Sequence, residues 1–264
     1  MSRILIYKVR NQSGIDKHPG KASTKEMVRT ILFITAFWIM MLLSMLFLLP
    51  IPFLYLFACV AKRRAYVLTI TRAWARILVY SCGIDIEVRG LEHLPEADNL
   101  CFVSNHQSYL DIPVIMASVP KIIGFVAKKE LRYVPFLSSW MKQIGCIFLD
   151  RKNPKQALRL FDLGAEDIRS GHAKLIFPEG TRNKGSGMGP VRAGAMKLPF
   201  KAEALIVPIT IDGTRRLLEA EGKVRSGKVH LTIHPPMPSK GLGREEQKRL
   251  TEEIVGQIAS ALPQ

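Results

Sequence analysis

An uncharged segment near the N-terminus places the strongest constraint on how this chain can fold. Residues 31–49 contain no charged side chain, and only Thr35 and Ser44 among them are polar. As an α-helix with a rise of 1.5 Å per residue, this segment would span roughly 28 Å, close to the apolar thickness of a bilayer. The chain must therefore bury this surface either in lipid or against other protein.

The residues around this segment favour a helical hairpin embedded in a membrane. Pro50 and Pro52 interrupt the apolar pattern, a second apolar run covers residues 53–61, and cations flank the whole region on both sides. Cations on both flanks favour placing both flanks at the cytoplasmic face. We therefore predict a hairpin that turns at the two prolines, with a single spanning helix or a buried pair of soluble helices as alternatives. A cleaved signal peptide is disfavoured, because the preceding polar region is too long.

The positive charge of the chain is concentrated at this end. The formal net charge is +16, and residues 1–80 hold 12 of the 38 Lys and Arg but only 2 of the 22 Asp and Glu. Such asymmetry predicts a polyanionic partner. The apolar segment favours an anionic membrane surface, and no recognised nucleic-acid module occurs, so we expect no nucleic acid partner. We predict a membrane-bound protein on the cytoplasmic face, the bacterial inner membrane being the expected location.

From residue 84 onward the sequence alternates between short apolar runs and helical patterns. Strands are predicted at 84–88, 100–104, 122–127, 146–149, 174–177, 206–211 and 229–233, and helices at 135–144, 153–168, 194–204 and 244–261. This alternation predicts an α/β fold with a mixed, largely parallel sheet flanked by helices. The predicted organisation is a basic arm (1–29), a membrane-associated hairpin with an amphipathic helix that lies on headgroups or on the protein surface (30–80), and an α/β domain (81–264).

A histidine and an aspartate follow the predicted strand 100–104. His106 and Asp111 are five residues apart, so they cannot share one face of a continuous helix, but they can meet across a strand-to-helix turn. Pro113 suits a first helical turn, which places Asp111 near the N-cap and His106 on the preceding loop. An aspartate that orients a histidine is a recurring way to make a general base.

Polar side chains also follow three other predicted strands. Lys128 follows strand 122–127, Arg151 follows strand 146–149, and the segment 179–182 follows strand 174–177. Open α/β sheets place ligands at this carboxyl edge, although a solvated strand end would look the same. Together the cations Lys128, Arg151 and Arg182 would form a phosphate pocket, with arginine offering bidentate geometry.

Two further predictions concern the residues around this pocket. Glu179 would hold one of the cations or accept a substrate hydroxyl. Covalent catalysis is not indicated, because no serine lies in a G-x-S-x-G turn and we expect no cysteine beside His106, since Cys101 lies in an apolar run. Ser108 is interpreted as a turn residue. The four cysteines are widely spaced without a C-x-x-C pattern, which favours reduced thiols over a metal site or disulfides.

Four ordered segments resemble the motifs of the glycerolipid acyltransferase family, in particular of its 1-acyl-sn-glycerol-3-phosphate acyltransferases. N-H-x4-D occurs at Asn105–Asp111, a glycine followed by an apolar strand and arginine at Gly145–Arg151, F-P-E-G-T-R at Phe177–Arg182, and an apolar V-P-I run at Ile206–Ile209. The resemblance covers roughly residues 84–235. One departure follows the third motif, where Arg192 occupies a position at which many members carry lysine.

The resemblance implies a fold, a reaction and a set of site residues. The implied fold is an α/β domain with the His–Asp pair at one sheet edge and an N-terminal two-helix motif in one membrane leaflet. The implied reaction transfers an acyl chain from acyl-CoA or acyl carrier protein to the sn-2 hydroxyl of 1-acylglycerol 3-phosphate, yielding phosphatidic acid without an acyl-enzyme. No metal and no cofactor beyond the acyl donor is expected. The implied residues are His106 and Asp111 for catalysis, and Lys128, Arg151, Glu179, Gly180, Thr181 and Arg182 for the substrate phosphate.

Several alternatives remain open from the sequence. The acceptor can instead be glycerol 3-phosphate, a lysophospholipid with a larger head group, or an amino-acid lipid. The chain can also be a membrane-surface binding protein that lacks catalysis, although intact His106 and Asp111 argue against that interpretation.

Overall fold

The computed structural model describes residues 24–150, 152–183, 185, 187–192 and 194–263. The helices are α1 (Thr24–Leu43), α2 (Pro50–Phe57), α3 (Val60–Ser81), α4 (Asp111–Ser118), α5 (Leu137–Gln143), α6 (Pro154–Arg169), α7 (Lys197–Lys201), α8 (Thr214–Leu217) and α9 (Arg244–Ser260). The strands are β1 (Ile84–Arg89), β2 (Leu100–Ser104), β3 (Gly124–Lys128), β4 (Ile147–Leu149), β5 (Lys174–Ile176), β6 (Leu205–Asp212), β7 (Gly227–Ile233) and β8 (Met237–Pro238). Of the predicted basic arm, residues 1–23 lie outside the described residues and 24–29 begin α1.

The apolar N-terminal segment is helical across the two prolines. A 3-10 turn (Ser44–Leu48) joins α1 to α2, Leu49 keeps helical dihedral angles, and Pro50 is the first residue of α2. The predicted turn at the prolines was wrong, because proline has a helical φ and fits the first turn of a helix. The helical geometry instead ends at Ala58 and Cys59, whose backbone is extended. Within the described chain, one helical stretch, residues 30–57, is long and apolar enough to cross a membrane.

After this break, α3 runs back along the apolar helices. The rings of Phe37 and Trp74 lie 5.8 Å apart, and the Tyr66 hydroxyl donates to the Phe47 carbonyl at 2.8 Å. Because the later residue of α3 contacts the earlier residue of the apolar segment, the two run antiparallel. The predicted hairpin between residues 31–49 and 53–61 is therefore not formed, and the helix that returns after Ala58 and Cys59 is the one predicted to be amphipathic.

The other side of α3 is part of the domain core. Ala75 and Val79 are buried in the same apolar cluster as Phe102 of β2, and Arg72 Nε donates to the Ala117 carbonyl at 3.2 Å. Tyr80, on the opposite side, is 74% exposed. The amphipathic helix predicted from residues 65–80 is thus packed on the domain along one side and leaves aromatic surface uncovered on the other.

The strands form one mixed sheet, as predicted. Their order is β1-β7-β6-β2-β5-β3-β4, with β8 pairing beside β6. Among the described strands, β6 pairs antiparallel with β7 and β8, and every other pairing is parallel. β1 lies at the edge, as its alternating apolar and acidic residues predicted.

Both faces of the sheet are covered, and the alternation of side chains along β2 shows how. Leu100 and Phe102 point into a core that includes α3 and α4, whereas Cys101 and Val103 point into a second core built by α6, α7 and α9. All four are fully buried. Successive strand residues face opposite sides, so a strand covered on both faces is apolar throughout.

The central parallel strands bring their carboxyl ends together. Val103 of β2 pairs with Ile176 of β5, and Ser104 of β2 pairs with Ile209 of β6. The loops that follow β2 and β5 therefore start side by side. β6 continues a few residues beyond this edge, so the segment that follows it also starts near these loops.

Two aspartates of α6 form ion pairs, one with a buried lysine and one with an exposed lysine, so the second is a matched control for the first. Lys174 is fully buried at the start of β5, where its ammonium contacts Asp167 and donates to the Gly145 carbonyl at 2.9 Å. Asp162, on the same helix, pairs with the exposed Lys201. Removing Asp167, whose side chain is 42% exposed, leaves the buried Lys174 ammonium without its counter-ion, whereas an exposed pair contributes little.

We predict that Asp167→Ala lowers the free energy of unfolding by about 3 kcal/mol, and that Asp162→Ala lowers it by less than about 1 kcal/mol. Denaturant titration of the detergent-solubilised protein, followed by tryptophan fluorescence, measures both. Equal losses in the two variants would contradict the assignment of Lys174 as a charge that depends on Asp167.

Candidate active site

The predicted His–Asp pair is formed at the carboxyl end of β2. His106 lies on the loop, Asp111 is the first residue of α4, and His106 Nδ1 is 2.8 Å from Asp111 Oδ2. The Phe177 ring stacks on the imidazole at a centroid distance of 4.0 Å. The turn between strand and helix therefore brings together two residues whose spacing excludes a shared helical face.

The Asp111 carboxylate is fully buried and held by four hydrogen bonds. Besides His106, its Oδ2 accepts from the backbone N–H groups of Gln107 (2.7 Å) and Ser108 (2.9 Å), and its Oδ1 accepts from Thr214 Oγ1 (2.6 Å). Hydrogen bonds to a carboxylate in a site shielded from water hold its position tightly. The aspartate can therefore orient the imidazole without moving itself.

Asn105 continues the sheet beyond the end of β2. Its side-chain Nδ2 donates to the Ile211 carbonyl at 2.8 Å, and its Oδ1 accepts from the Ile211 N–H at 2.9 Å. The asparagine is buried. The start of the histidine loop is thereby tied to β6.

The loop after β5 holds the backbone of His106 from the other side. Glu179 Oε1 accepts from the His106 N–H at 2.8 Å, and the Asn183 N–H donates to the His106 carbonyl at 2.7 Å. Glu179 Oε2 accepts from the Gly189 N–H at 2.8 Å. The prediction that Glu179 holds a cation or accepts a substrate hydroxyl stays a prediction; in the structure both of its carboxylate oxygens accept backbone N–H groups.

The protonation of Glu179 is shifted by its surroundings. Burial raises the pKa of this carboxyl group above its usual value, because the charged form loses water, and the N–H groups of His106 and Gly189 offset only part of this effect. The ionised carboxylate of Glu179 can accept both backbone N–H groups. In the protonated carboxyl group, one of the two oxygens carries the proton and acts as an O–H donor.

Arg182 is positioned by an acidic and an aromatic side chain. Its Nη1 donates to Glu219 Oε1 at 3.0 Å, and its guanidinium lies 3.6 Å from the centre of the Tyr109 ring. Glu219 Oε1 also accepts from the Tyr109 N–H at 2.7 Å. Arg182 therefore contacts the histidine loop directly.

Of the remaining predicted phosphate residues, the structure describes Gly180 and Thr181 on the loop after β5, and Lys128 at the end of β3. Gly180 forms a turn with φ +67°, and Thr181 is exposed. Lys128 is exposed and pairs with Glu130 at 3.5 Å. Its strand β3 is separated from β2 by β5, which puts it roughly 10 Å away across the sheet. Arg151 lies outside the described residues, so its predicted role and that of Lys128 remain predictions.

An apolar cavity opens beside the same loop. Its volume is about 560 Å³, and Tyr109 and Leu110 of the histidine loop line it together with residues of α1, α3, α4 and α5. The other walls include Phe37, Trp74 and Trp140. A cavity of this size and lining suits an apolar ligand or part of one.

Two residues of this site were missed by reasoning from sequence. Thr214 and Glu219 both follow β6, whose end lies at the same edge as the ends of β2 and β5. The predicted strand 206–211 was a signal that polar residues after it belong to the site. Within the described chain, no group of three or more metal-ligating side chains is present.

The bond from Thr214 to Asp111 can be tested with a threonine of the same strand–helix region as a control. Thr214→Val removes a buried donor and leaves Asp111 Oδ1 unsatisfied, so we expect a stability loss of about 1–3 kcal/mol and a lower kcat. Thr210→Val removes a buried hydroxyl that donates to the Ile258 carbonyl, away from the site. This control should lose stability but keep its kcat. A kcat that falls equally in both variants would contradict a link between Thr214 and catalysis.

The raised pKa of Glu179 predicts how stability depends on pH. A carboxyl group with a higher pKa in the folded state stabilises the fold below its unfolded pKa, and this contribution is lost as the pH rises through the folded pKa. Glu179→Gln has no titrating group here. The Tm of the wild type minus that of the variant should therefore fall as the pH rises between about 4 and 8. Thermal unfolding across this range measures it, and a difference that rises with pH would contradict the prediction.

Comparison with known proteins agrees with this geometry. The model of the family described as Acyltransferase matches residues 85–212. A chloroplastic 1-acyl-sn-glycerol-3-phosphate acyltransferase of Brassica napus is 33% identical over 189 residues, which are 70% of this chain and 54% of the relative. The human 1-acyl-sn-glycerol-3-phosphate acyltransferase alpha is 33% identical over 179 residues, 66% of this chain and 62% of the relative. This chain thus matches less than two thirds of the length of these relatives.

A solved structure shares the fold as well as sequence. The crystal structure of the 1-acyl-sn-glycerophosphate (LPA) acyltransferase PlsC from Thermotoga maritima superimposes with a TM-score of 0.75 at 27% identity, over 89% of this chain and 96% of that one. The matched segment includes β2, β5 and β6 with the His106–Asp111 pair. Residues 85–212 of this chain therefore match the acyltransferase family, within a fold shared with a solved acyltransferase.

Proposed function

We propose that this protein is a 1-acylglycerol-3-phosphate O-acyltransferase. It transfers an acyl chain from acyl-CoA or acyl carrier protein to the sn-2 hydroxyl of 1-acylglycerol 3-phosphate and produces phosphatidic acid. The relatives carry this activity in their names. The observation that carries the proposal is the hydrogen bond of 2.8 Å between His106 Nδ1 and the buried Asp111 carboxylate.

This bond leaves the second ring nitrogen of His106 for the substrate. With Nδ1 donating to Asp111, Nε2 is the proton acceptor of the neutral ring. Within the described chain, Nε2 has no hydrogen-bond partner, and 17% of the side chain is exposed. An acceptor hydroxyl can therefore approach Nε2, while Phe177 holds the plane of the ring.

The proposed reaction is a direct transfer between two substrates. His106 Nε2 takes the proton from the sn-2 hydroxyl, whose oxygen forms a bond to the thioester carbonyl carbon. The tetrahedral intermediate then breaks its carbon–sulfur bond, and His106 gives the proton to the leaving thiolate. General acid–base catalysis of this kind accelerates a reaction by roughly 10²–10⁴-fold, and holding both substrates in place adds to it.

The thiols and hydroxyls near the site support transfer without an acyl-enzyme. Ser108 is buried, and its Oγ accepts from the Leu110 N–H at 2.9 Å, as expected of a turn residue. Burial raises the pKa of Cys101 and of Cys146 to about 12, so neither is a thiolate at neutral pH. The nucleophile of the proposed reaction is therefore the acceptor hydroxyl itself.

The apolar cavity supports an acyl-chain substrate. Its lining includes Tyr109 and Leu110, the residues between His106 and Asp111 in the sequence, so a chain that fills it would end beside the dyad. Each methylene group buried there contributes about 0.8 kcal/mol. Arg182, whose guanidinium lies 3.6 Å from the centre of the Tyr109 ring, is the residue that we expect to bind the acceptor phosphate.

The exposed apolar surface of α1 and α2 supports a membrane site for the reaction. Leu49, Phe53, Leu56 and Phe57 are each more than 60% exposed, and only 11% of the most apolar window in residues 30–57 is buried. An apolar surface of this extent is typical of membrane contact. We propose that this segment and the cations around it hold the enzyme on the cytoplasmic face of a membrane, where lipid acceptors reside.

The activity is tested with the full chain in detergent micelles or washed membranes. Wild-type protein supplied with acyl-CoA or acyl carrier protein and a panel of acceptors should acylate 1-acylglycerol 3-phosphate, as followed by mass spectrometry of the lipid product. Transfer to glycerol 3-phosphate or to a lysophospholipid with a larger head group instead would replace the proposed acceptor. No transfer to any acceptor would contradict the proposed function.

The role of His106 is tested by comparing two histidines. His106→Ala should lower kcat by at least about 100-fold, because the general base is lost. His172→Ala is the control, since His172 precedes β5 at the opposite edge of the sheet. This variant should retain wild-type turnover within about twofold. A His106→Ala protein that turns over at the wild-type rate would end the assignment of the base.

A further inference from the structure

A carboxylate outside all four sequence motifs lies at the centre of the contacts around Arg182. Glu219 follows α8, and its Oε1 accepts from both the Tyr109 N–H (2.7 Å) and Arg182 Nη1 (3.0 Å). Tyr109 belongs to the histidine loop and Arg182 to the loop after β5. A single oxygen atom therefore joins the two loops that form the candidate site.

Glu219 also determines how Arg182 is presented. A guanidinium group carries five N–H donors in one rigid plane, and it binds phosphate best when two of them face the phosphate together. Here Glu219 holds Nη1, and the Tyr109 ring lies 3.6 Å below the guanidinium carbon. These two contacts fix the plane of the group, while 35% of the side chain stays exposed to a ligand.

The second oxygen of Glu219 indicates that this carboxylate does more than stabilise the fold. Oε2 is buried, and among the described residues it has no hydrogen-bond partner. A buried polar atom without a partner destabilises a protein, and such atoms call for a functional explanation. Glu221, two residues later, instead forms an ordinary ion pair with Arg225 at 2.6 Å.

We propose that Glu219 is a positioning residue that orients Arg182 toward the phosphate monoester of the acceptor lipid. The inference rests on the proposed function, since it names the residue that prepares the acceptor site of that reaction. Because Tyr109 also lines the apolar cavity, the same cluster fixes the phosphate ligand relative to the mouth of that cavity. The phosphate and the acyl chain are thereby held at fixed positions relative to His106.

This role predicts a specific kinetic signature. Without Glu219, Arg182 keeps its charge but its guanidinium samples several orientations, so fewer encounters give two simultaneous hydrogen bonds to phosphate. Once the acceptor is saturating, His106 and Asp111 act as before. The KM for 1-acylglycerol 3-phosphate should therefore rise, whereas kcat and the KM of the acyl donor should change little.

A double-mutant cycle on the full chain tests the inference. Glu219→Ala and Arg182→Ala should each raise the acceptor KM about tenfold. The double variant should have the acceptor KM of Arg182→Ala alone, because the effect of Glu219 on phosphate binding passes through Arg182. Glu219→Gln keeps an accepting oxygen without its charge and should raise KM about threefold. If Glu219→Ala does not fold, as judged by thermal unfolding, the cycle is run with Glu219→Gln.

A neighbouring glutamate and the wild-type protein serve as controls. Glu221→Ala breaks an ion pair of the same segment and should keep the acceptor KM within twofold. An effect of Glu219 substitution that persists undiminished in the Arg182→Ala background, or that falls on kcat alone, would overturn the inference. Failure of the wild type to acylate 1-acylglycerol 3-phosphate would instead contradict the proposed function, so the two failures are distinguishable.

Discussion

The buried carboxylate of Asp111 is the group on which the candidate site depends. It accepts hydrogen bonds from the imidazole of His106, from the two backbone N–H groups that follow this histidine, and from Thr214 of α8. A carboxylate that is removed from water is stable only if its lone pairs are satisfied, so the loop and α8 must both be in place for it to be buried. The geometry of the His106–Asp111 pair is thus a consequence of folding, and it requires no substrate to form.

The sheet explains why residues that are far apart in sequence meet at this carboxylate. β5 and β6 flank β2 on its two sides, and all three run parallel. Their following loops supply Glu179 and Arg182 from one side and Thr214 and Glu219 from the other. The histidine loop lies between them and is hydrogen-bonded to both. If β2, β5 and β6 were not neighbours in the sheet, the residues of the site would not be in contact.

Much of this arrangement could be predicted from local sequence. The spacing of His106 and Asp111 with Pro113 defines a strand-to-helix turn, and the apolar runs define the strands. The start of α6 is equally local, because the Asn153 side chain accepts from the Gln156 N–H at 3.0 Å and so caps the helix. Such features depend on a few consecutive residues, so their physical causes are visible in a short window of sequence.

The features that could not be predicted depend on pairing between distant segments. The predicted turn at Pro50 and Pro52 was wrong, because proline also begins helices. Only the packing of α3 against α1 shows where the chain reverses. The hydrogen bonds from the His106 and Gly189 N–H groups to Glu179 could not be predicted either, because His106 lies on another loop and Gly189 is ten residues further along the chain. Glu219 carries no motif at all, and only the neighbourhood of β6 and β2 reveals its position.

The side chain of Asn105 has a consequence for which substitutions the site can tolerate. Its amide gives one donor and one acceptor to the same residue, Ile211, just as a peptide group of a neighbouring strand would. The main chain can therefore leave the plane of the sheet one residue early while β6 still meets a complete set of partners. Aspartate would supply no donor, and leucine would supply neither group. The Asn105 side chain thus replaces a peptide group of the strand, so the sheet can end at this residue and the following loop can carry His106.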